Sequence, residues 1–100
     1  YIHVMDLALG HSKLLDVLMK KPQILTMNFG TGIGYSVLDI VNTFKKISNM
    51  EIPYKIVNRR PGDVAICYAD PSYSKLKLEW EAQYTLEDMC KDSWNYMLKN

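Results

Sequence analysis

Ile24-Leu-Thr-Met-Asn-Phe29-Gly30-Thr-Gly32-Ile-Gly34-Tyr35-Ser36-Val37-Leu-Asp39 is the stretch that decides the fold class of this 100-residue chain. Residues 24–29 are mostly apolar and read as a buried strand; the three alternating glycines after them read as a loop. Ser36 and Asp39 have the spacing of a capping box in which Asp stands for the usual Glu. The helix they open carries Val37, Ile40, Val41, Phe44 and Ile47 along one face. Strand, glycine loop and amphipathic helix in direct succession are the repeating unit of α/β proteins.

On the amino-terminal side, Tyr1 to Val4 reads as a short strand. A helix with Asp6 as its cap follows, and Val4, Leu7, Ala8, His11, Leu15 and Leu18 share its apolar stripe. His11 on that stripe is expected to be packed in the core. Gly10 costs up to ~1 kcal/mol relative to Ala inside a helix, which points to another backbone approaching there. Pro22 ends the helix. On the carboxy-terminal side, Ile52 to Val57 reads as a third strand. Pro71 and Ser72 open a short helix that ends near Leu78. Thr85 and Asp88 cap a last helix, with Leu86, Met89, Cys90, Trp94 and Met97 on its core side. The expected fold is α/β, a small three-strand sheet with about four helices, in a single domain over residues 1–100. So small a sheet is expected to lean on something larger.

Net charge is +1, with 48% apolar and 23% charged residues, which excludes a general nucleic-acid or anionic-membrane binder. Cys67 and Cys90 are too few for a disulfide framework and lack partners at metal-ligand spacing, while His3 and His11 fit no zinc signature. A reducing, cytoplasmic compartment is expected. No apolar run approaches the ~20 residues of a membrane span, and Tyr1-Ile-His-Val has neither the basic start nor the apolar middle of a signal peptide. A chain that opens without Met, directly in strand-like sequence, has the look of a segment of something longer.

Arg59-Arg60-Pro61-Gly62-Asp63 is the strongest chemical feature. An Arg fork matches phosphate oxygens and stays charged at any working pH, and a nearby carboxylate accepts from sugar hydroxyls. A diphosphate joined to a ribose is the ligand such a Pro-Gly turn suits; a solvated turn with a local ion pair is the alternative. Two other patterns are decoys. Gly30-Thr-Gly32-Ile-Gly34 stands where a dinucleotide loop would, but Tyr35 holds the position of the third glycine, and no acidic residue closes the following strand. Tyr73-Ser-Lys-Leu-Lys77 matches a Tyr-x-x-x-Lys pair only by coincidence in an amphipathic helix. No Ser-His-Asp set, carboxylate pair or metal cluster can be assembled, so the residues describe a binding module without a reaction centre.

The chain resembles the carboxy-terminal part of the UDP-glucose 4-epimerase (UDP-galactose 4-epimerase) family of extended short-chain dehydrogenases/reductases. The blocks that carry the resemblance are Tyr1-Ile-His-Val-Met-Asp6-Leu-Ala-Leu-Gly10-His11, Asn28-Phe-Gly-Thr-Gly32-Ile-Gly-Tyr-Ser36-Val-Leu-Asp39, Arg59-Arg-Pro-Gly62-Asp63-Val and Tyr68-Ala-Asp70-Pro71. The resemblance implies the smaller, UDP-sugar-binding domain of an enzyme that interconverts UDP-glucose and UDP-galactose by NAD-mediated hydride transfer at C4 of the hexose. NAD and the catalytic residues would belong to an amino-terminal Rossmann domain that this chain lacks, so the chain alone is expected to be inactive. The partners implied are the UDP-hexose, that Rossmann domain and, for the full-length enzyme, a second copy in a homodimer. Carried onto this sequence, Arg60 contacts the diphosphate and Asp63 the nucleotide, at its ribose, with Pro61 and Gly62 forming the turn between them. Val37 lines the uridine pocket. Cys67 stands beside the hexose, and its small side chain implies room for the N-acetyl group of UDP-GlcNAc and UDP-GalNAc. A further phosphate-binding Arg would lie two positions before Tyr1. A different nucleotide-sugar enzyme of the superfamily, or a free-standing binding domain, are the alternatives.

Overall fold

The computed structural model describes residues 1–100 in full. Four helices form: α1 (Val4–Lys20), α2 (Val37–Ser48), α3 (Ser72–Leu78) and α4 (Leu86–Lys99). None is long and apolar enough to cross a membrane. Helix α2 packs along α4, and α1 packs against α3. Both expected capping boxes are present. Asp39 N–H donates to Ser36 Oγ at 3.0 Å and Ser36 N–H to Asp39 Oδ2 at 2.8 Å. Thr85 and Asp88 repeat the exchange at the start of α4, and hydrogen bonds from Thr85, backbone first, hold the Asp88 carboxyl below its usual range.

The three-strand sheet does not form. No residue lies in a strand, and every backbone hydrogen bond outside the helices belongs to a turn or a cap. Residues 24–29 and 52–57 run extended without a neighbour to pair with, and Tyr1 to Val4 leads into α1. A strand exists only as one half of a ladder, and no backbone hydrogen bond joins these segments to another part of the chain. Part of their apolar surface stays in solvent, with Ile24 97% and Ile56 83% exposed, while Leu25, Met27 and Phe29 are half-buried.

Helix α1 differs from expectation in its start and its facing. His3, not Asp6, is the N-cap, its Nδ1 accepting from Met5 N–H at 3.0 Å. The inward face carries His3, Asp6 and Gly10, with Leu7, Leu14 and Val17 beside them, while Val4 and Leu15 are exposed. His11 is also exposed, its Nδ1–H donating to Leu7 O at 2.8 Å. The apolar stripe misplaced this face because two of its buried positions are a carboxylate and a glycine. What approaches Gly10 is not a backbone but the Phe29 ring, which a Cβ there would meet at 2.8 Å.

Trp80 is the centre of the core and is fully buried. Glu79, in the left-handed region at φ 54°, turns the chain out of α3 and sends the indole inward. The indole N–H donates to Asp6 O at 2.9 Å, and Phe29 meets the ring edge-on at 4.9 Å between centroids. The Asp6 carboxylate accepts from the N–H groups of Gln83 and Tyr84 at 3.0–3.1 Å. His3 stacks on Tyr84 and donates from Nε2 to Asp92 at 2.8 Å, tying α1 to α4. Ser74 Oγ donates to Asn28 O at 2.6 Å. Cys90 and Leu78 complete the interior, and burial pushes the Cys90 thiol pKa up.

This core is small for the chain. The radius of gyration is 16.6 Å, where about 13 Å is expected for 100 residues. The accessible surface is 8130 Å², against about 5,800 Å² for a self-contained protein of this mass. Asp6→Ala leaves two part-buried backbone N–H groups without their acceptor and is expected to lower stability by about 1–3 kcal/mol, measured by chemical denaturation. A loss below ~0.5 kcal/mol would show that the carboxylate is not what holds the 80–84 segment.

Candidate functional site

Arg60 to Asp63 form a type II turn closed by Asp63 N–H donating to Arg60 O at 3.2 Å. Pro61 sets φ at the second position, and Gly62 supplies the positive φ of 86° that the third position requires. The turn brings the two charged side chains together in a two-pronged pair: Arg60 Nε donates to Asp63 Oδ2 and Nη2 to Oδ1, each at 3.2 Å. Arg60 N–H also donates to Oδ2 at 3.2 Å. Arg60 remains 83% exposed and Asp63 38%, so the guanidinium is held in place while open to solvent.

Residues 64–68 lead from this turn to a cleft of about 520 Å³ between the glycine loop and the segment 65–68. Its walls include Gly34, Tyr35, Ser36, Asp39, Cys67 and Tyr68. Two local devices shape it: the Ser36–Asp39 cap fixes the start of α2, and a Cβ on Gly34 would press on Tyr68 at 3.3 Å. The structure therefore brings Cys67, an exposed free thiol, together with the glycine loop. Val37, first residue of α2 and 68% exposed, adjoins the cleft in sequence without lining it. Arg60 and Asp63 do not line the cleft, although Ala65, two residues on from Asp63, does. Tyr35 and Tyr68, the aromatic walls, fall within the blocks that carry the resemblance but are not among the site residues it implies.

Gly30 packs closely on the chain's own Ala69, while Gly32 makes only ordinary contact with Pro71. A Cβ on Gly30 would meet Ala69 at 2.7 Å, and one on Gly32 would meet Pro71 at 3.6 Å. The 68–71 segment thus covers Gly30, which is buried. Asp70 braces that segment by accepting from the Ser72 hydroxyl and N–H. Those two bonds, the hydroxyl's first, hold the Asp70 carboxyl below its usual range. No group of three or more His, Cys, Asp or Glu side chains is placed to hold a metal.

No family model matches the chain. In fold, it is similar to solved sugar-nucleotide epimerases. The crystal structure of UDP-glucose-4-epimerase from Stenotrophomonas maltophila with bound NAD and formylated UDP-arabinopyranose superposes with a TM-score of 0.93 at 39% identity, over 99% of this chain and 30% of that one. A second UDP-glucose 4-epimerase crystal structure gives 0.93 at 35% identity over the whole of this chain. In sequence, UDP-glucose 4-epimerases from Pasteurella multocida, Bacillus subtilis and Mus musculus are 53%, 50% and 49% identical over 100 residues. The chain spans about 30% of the length of these relatives, and it corresponds to the carboxy-terminal part of UDP-glucose 4-epimerases.

Gly62→Ala is expected to cost about 1 kcal/mol from backbone strain alone, because nothing lies within 4 Å of the added Cβ. Gly62→Asn, better tolerated at positive φ, should cost less. Thermal midpoints of the two variants check this; equal losses would mean that the positive φ is not retained.

Proposed function

We propose that residues 1–100 are the carboxy-terminal, UDP-sugar-binding domain of a UDP-glucose 4-epimerase, which interconverts UDP-glucose and UDP-galactose with NAD held by an amino-terminal Rossmann domain outside this chain. The observation that carries this reading is the preformed Arg60–Asp63 pair on its type II turn, within a chain that matches such enzymes from end to end. The two decoy motifs remain without a role, and the 100 residues supply grip and orientation, not hydride chemistry.

In this reading Arg60 neutralises the diphosphate, Asp63 accepts from the ribose, and Pro61 and Gly62 hold the two at fixed spacing. Val37 offers an apolar surface to uracil at the start of α2. Cys67, small and in the cleft, leaves space beside the hexose. None of these groups takes part in hydride transfer in this reading, so they act by binding and by fixing orientation.

Two experiments on the full-length protein test the proposal. Arg60→Ala removes a charge-assisted contact worth roughly 1.5–3 kcal/mol, so KM for UDP-galactose is expected to rise about ten- to a hundredfold with a smaller change in kcat. An unchanged KM would remove Arg60 from the site. The protein is also expected to turn over UDP-GalNAc, with Cys67→Tyr suppressing that activity and sparing UDP-galactose. Absence of UDP-GalNAc turnover in the parent would refute the assignment of Cys67.

A further inference from the structure

Which edge of the Arg60 guanidinium faces a ligand is decided by Asp63. A guanidinium offers two bidentate edges: a side edge, Nε with Nη2, and an end edge, Nη1 with Nη2. Asp63 occupies the side edge with both its oxygens, at 3.2 Å each. It also takes the Arg60 backbone N–H, so three of the roughly four lone-pair sites of the carboxylate are spent on Arg60 itself. One site, on Oδ1, is left for an outside hydroxyl. The end edge of Arg60, with three N–H hydrogens, is left to solvent on a side chain that is 83% exposed.

The geometry points to Asp63 as a positioning residue that acts through Arg60: it blocks the side edge and presents the end edge to a phosphate group, and its own contact with the nucleotide is secondary. This deepens the proposed function and rests on it. An exposed Arg pays rotamer entropy to bind, and a partner on the same four-residue turn removes part of that cost before the ligand arrives. The turn makes this possible. Arg60 and Asp63 are its first and last residues, closed on each other by the Asp63 N–H to Arg60 O bond, and Gly62 is free of neighbours that could distort it.

The test is calorimetric binding of UDP and of uridine to the full-length protein and to Asp63→Asn, Arg60→Ala and the double variant. Acting through Arg60, Asp63→Asn should weaken UDP about tenfold and uridine, through the secondary ribose contact alone, far less, and the double variant should bind UDP little worse than Arg60→Ala. A merely structural loss would weaken both ligands, and the uridine arm exposes it. Uridine weakened as much as UDP, or single losses that multiply in the double variant, would show an independent ribose contact and overturn the inference while leaving the nucleotide site standing. A parent protein that binds no UDP overturns the inference together with the proposal beneath it. Asp63→Ser, which keeps the turn's backbone bond, replaces Asn if that variant does not fold, with the same outcomes decisive.

Discussion

The donation from the Trp80 indole N–H to the main-chain oxygen of Asp6 is the constraint on which the rest of the structure depends. It joins two segments far apart in sequence, the first turn of α1 and the exit of α3, and seals the largest side chain away from water. Everything placed near the cleft is placed from this point. Phe29 packs on the indole edge and over Gly10, and Ser74 holds Asn28 by its carbonyl. The strand-like segment 24–29 therefore arrives at the glycine loop in one position despite having no ladder partner. The Asp6 carboxylate does the same for residues 83 and 84, from which α4 is launched. A buried carboxylate with its lone pairs filled by N–H groups is tolerated in such a place, and the structure leaves no buried side-chain polar atom unsatisfied.

The two parts of the candidate site are built by different means. The cleft is a tertiary product, since its walls come from residues 32–39 and 65–68, brought together by close glycine contacts and a helix cap. The Arg60–Asp63 turn is a local product, held by bonds within four residues and by nothing else. A local motif of this kind keeps its geometry wherever the connecting chain carries it, so ligand-contacting charge can sit on an exposed turn without a packed scaffold beneath it. An exposed ion pair contributes little to stability, and the value of this one lies in direction.

The surface left uncovered is as informative as the core. About 2,300 Å² more is exposed than a self-contained chain of this mass would leave, an amount comparable with one side of a large obligate interface. It includes apolar residues in the unpaired extended segments, Ile24, Ile56 and Val57, and a groove of about 650 Å³ between the start of α1 and α4, lined by Val4, Met5 and Tyr96 among others. The relatives the chain matches are more than three times as long.

Sequence alone determined what depends on neighbours a few residues away. Both capping boxes, the starts of α2, α3 and α4, the end of α3, the Pro22 stop and the turn at residues 60–63 follow from local hydrogen bonds and backbone preferences, so reading along the chain finds them. The paired charges on the turn are legible for the same reason, as is the departure of the glycine spacing from the dinucleotide fingerprint. Tertiary structure decided the rest. It turned α1 so that Asp6 and Gly10 face inward, because a carboxylate is buried only when distant N–H groups come to meet it. It put Phe29 against Gly10, and it gathered Cys67, Tyr35 and Tyr68 into one cleft. It also left residues 24–29 and 52–57 without a sheet, since β-propensity resides in a single segment but a strand requires a second one beside it.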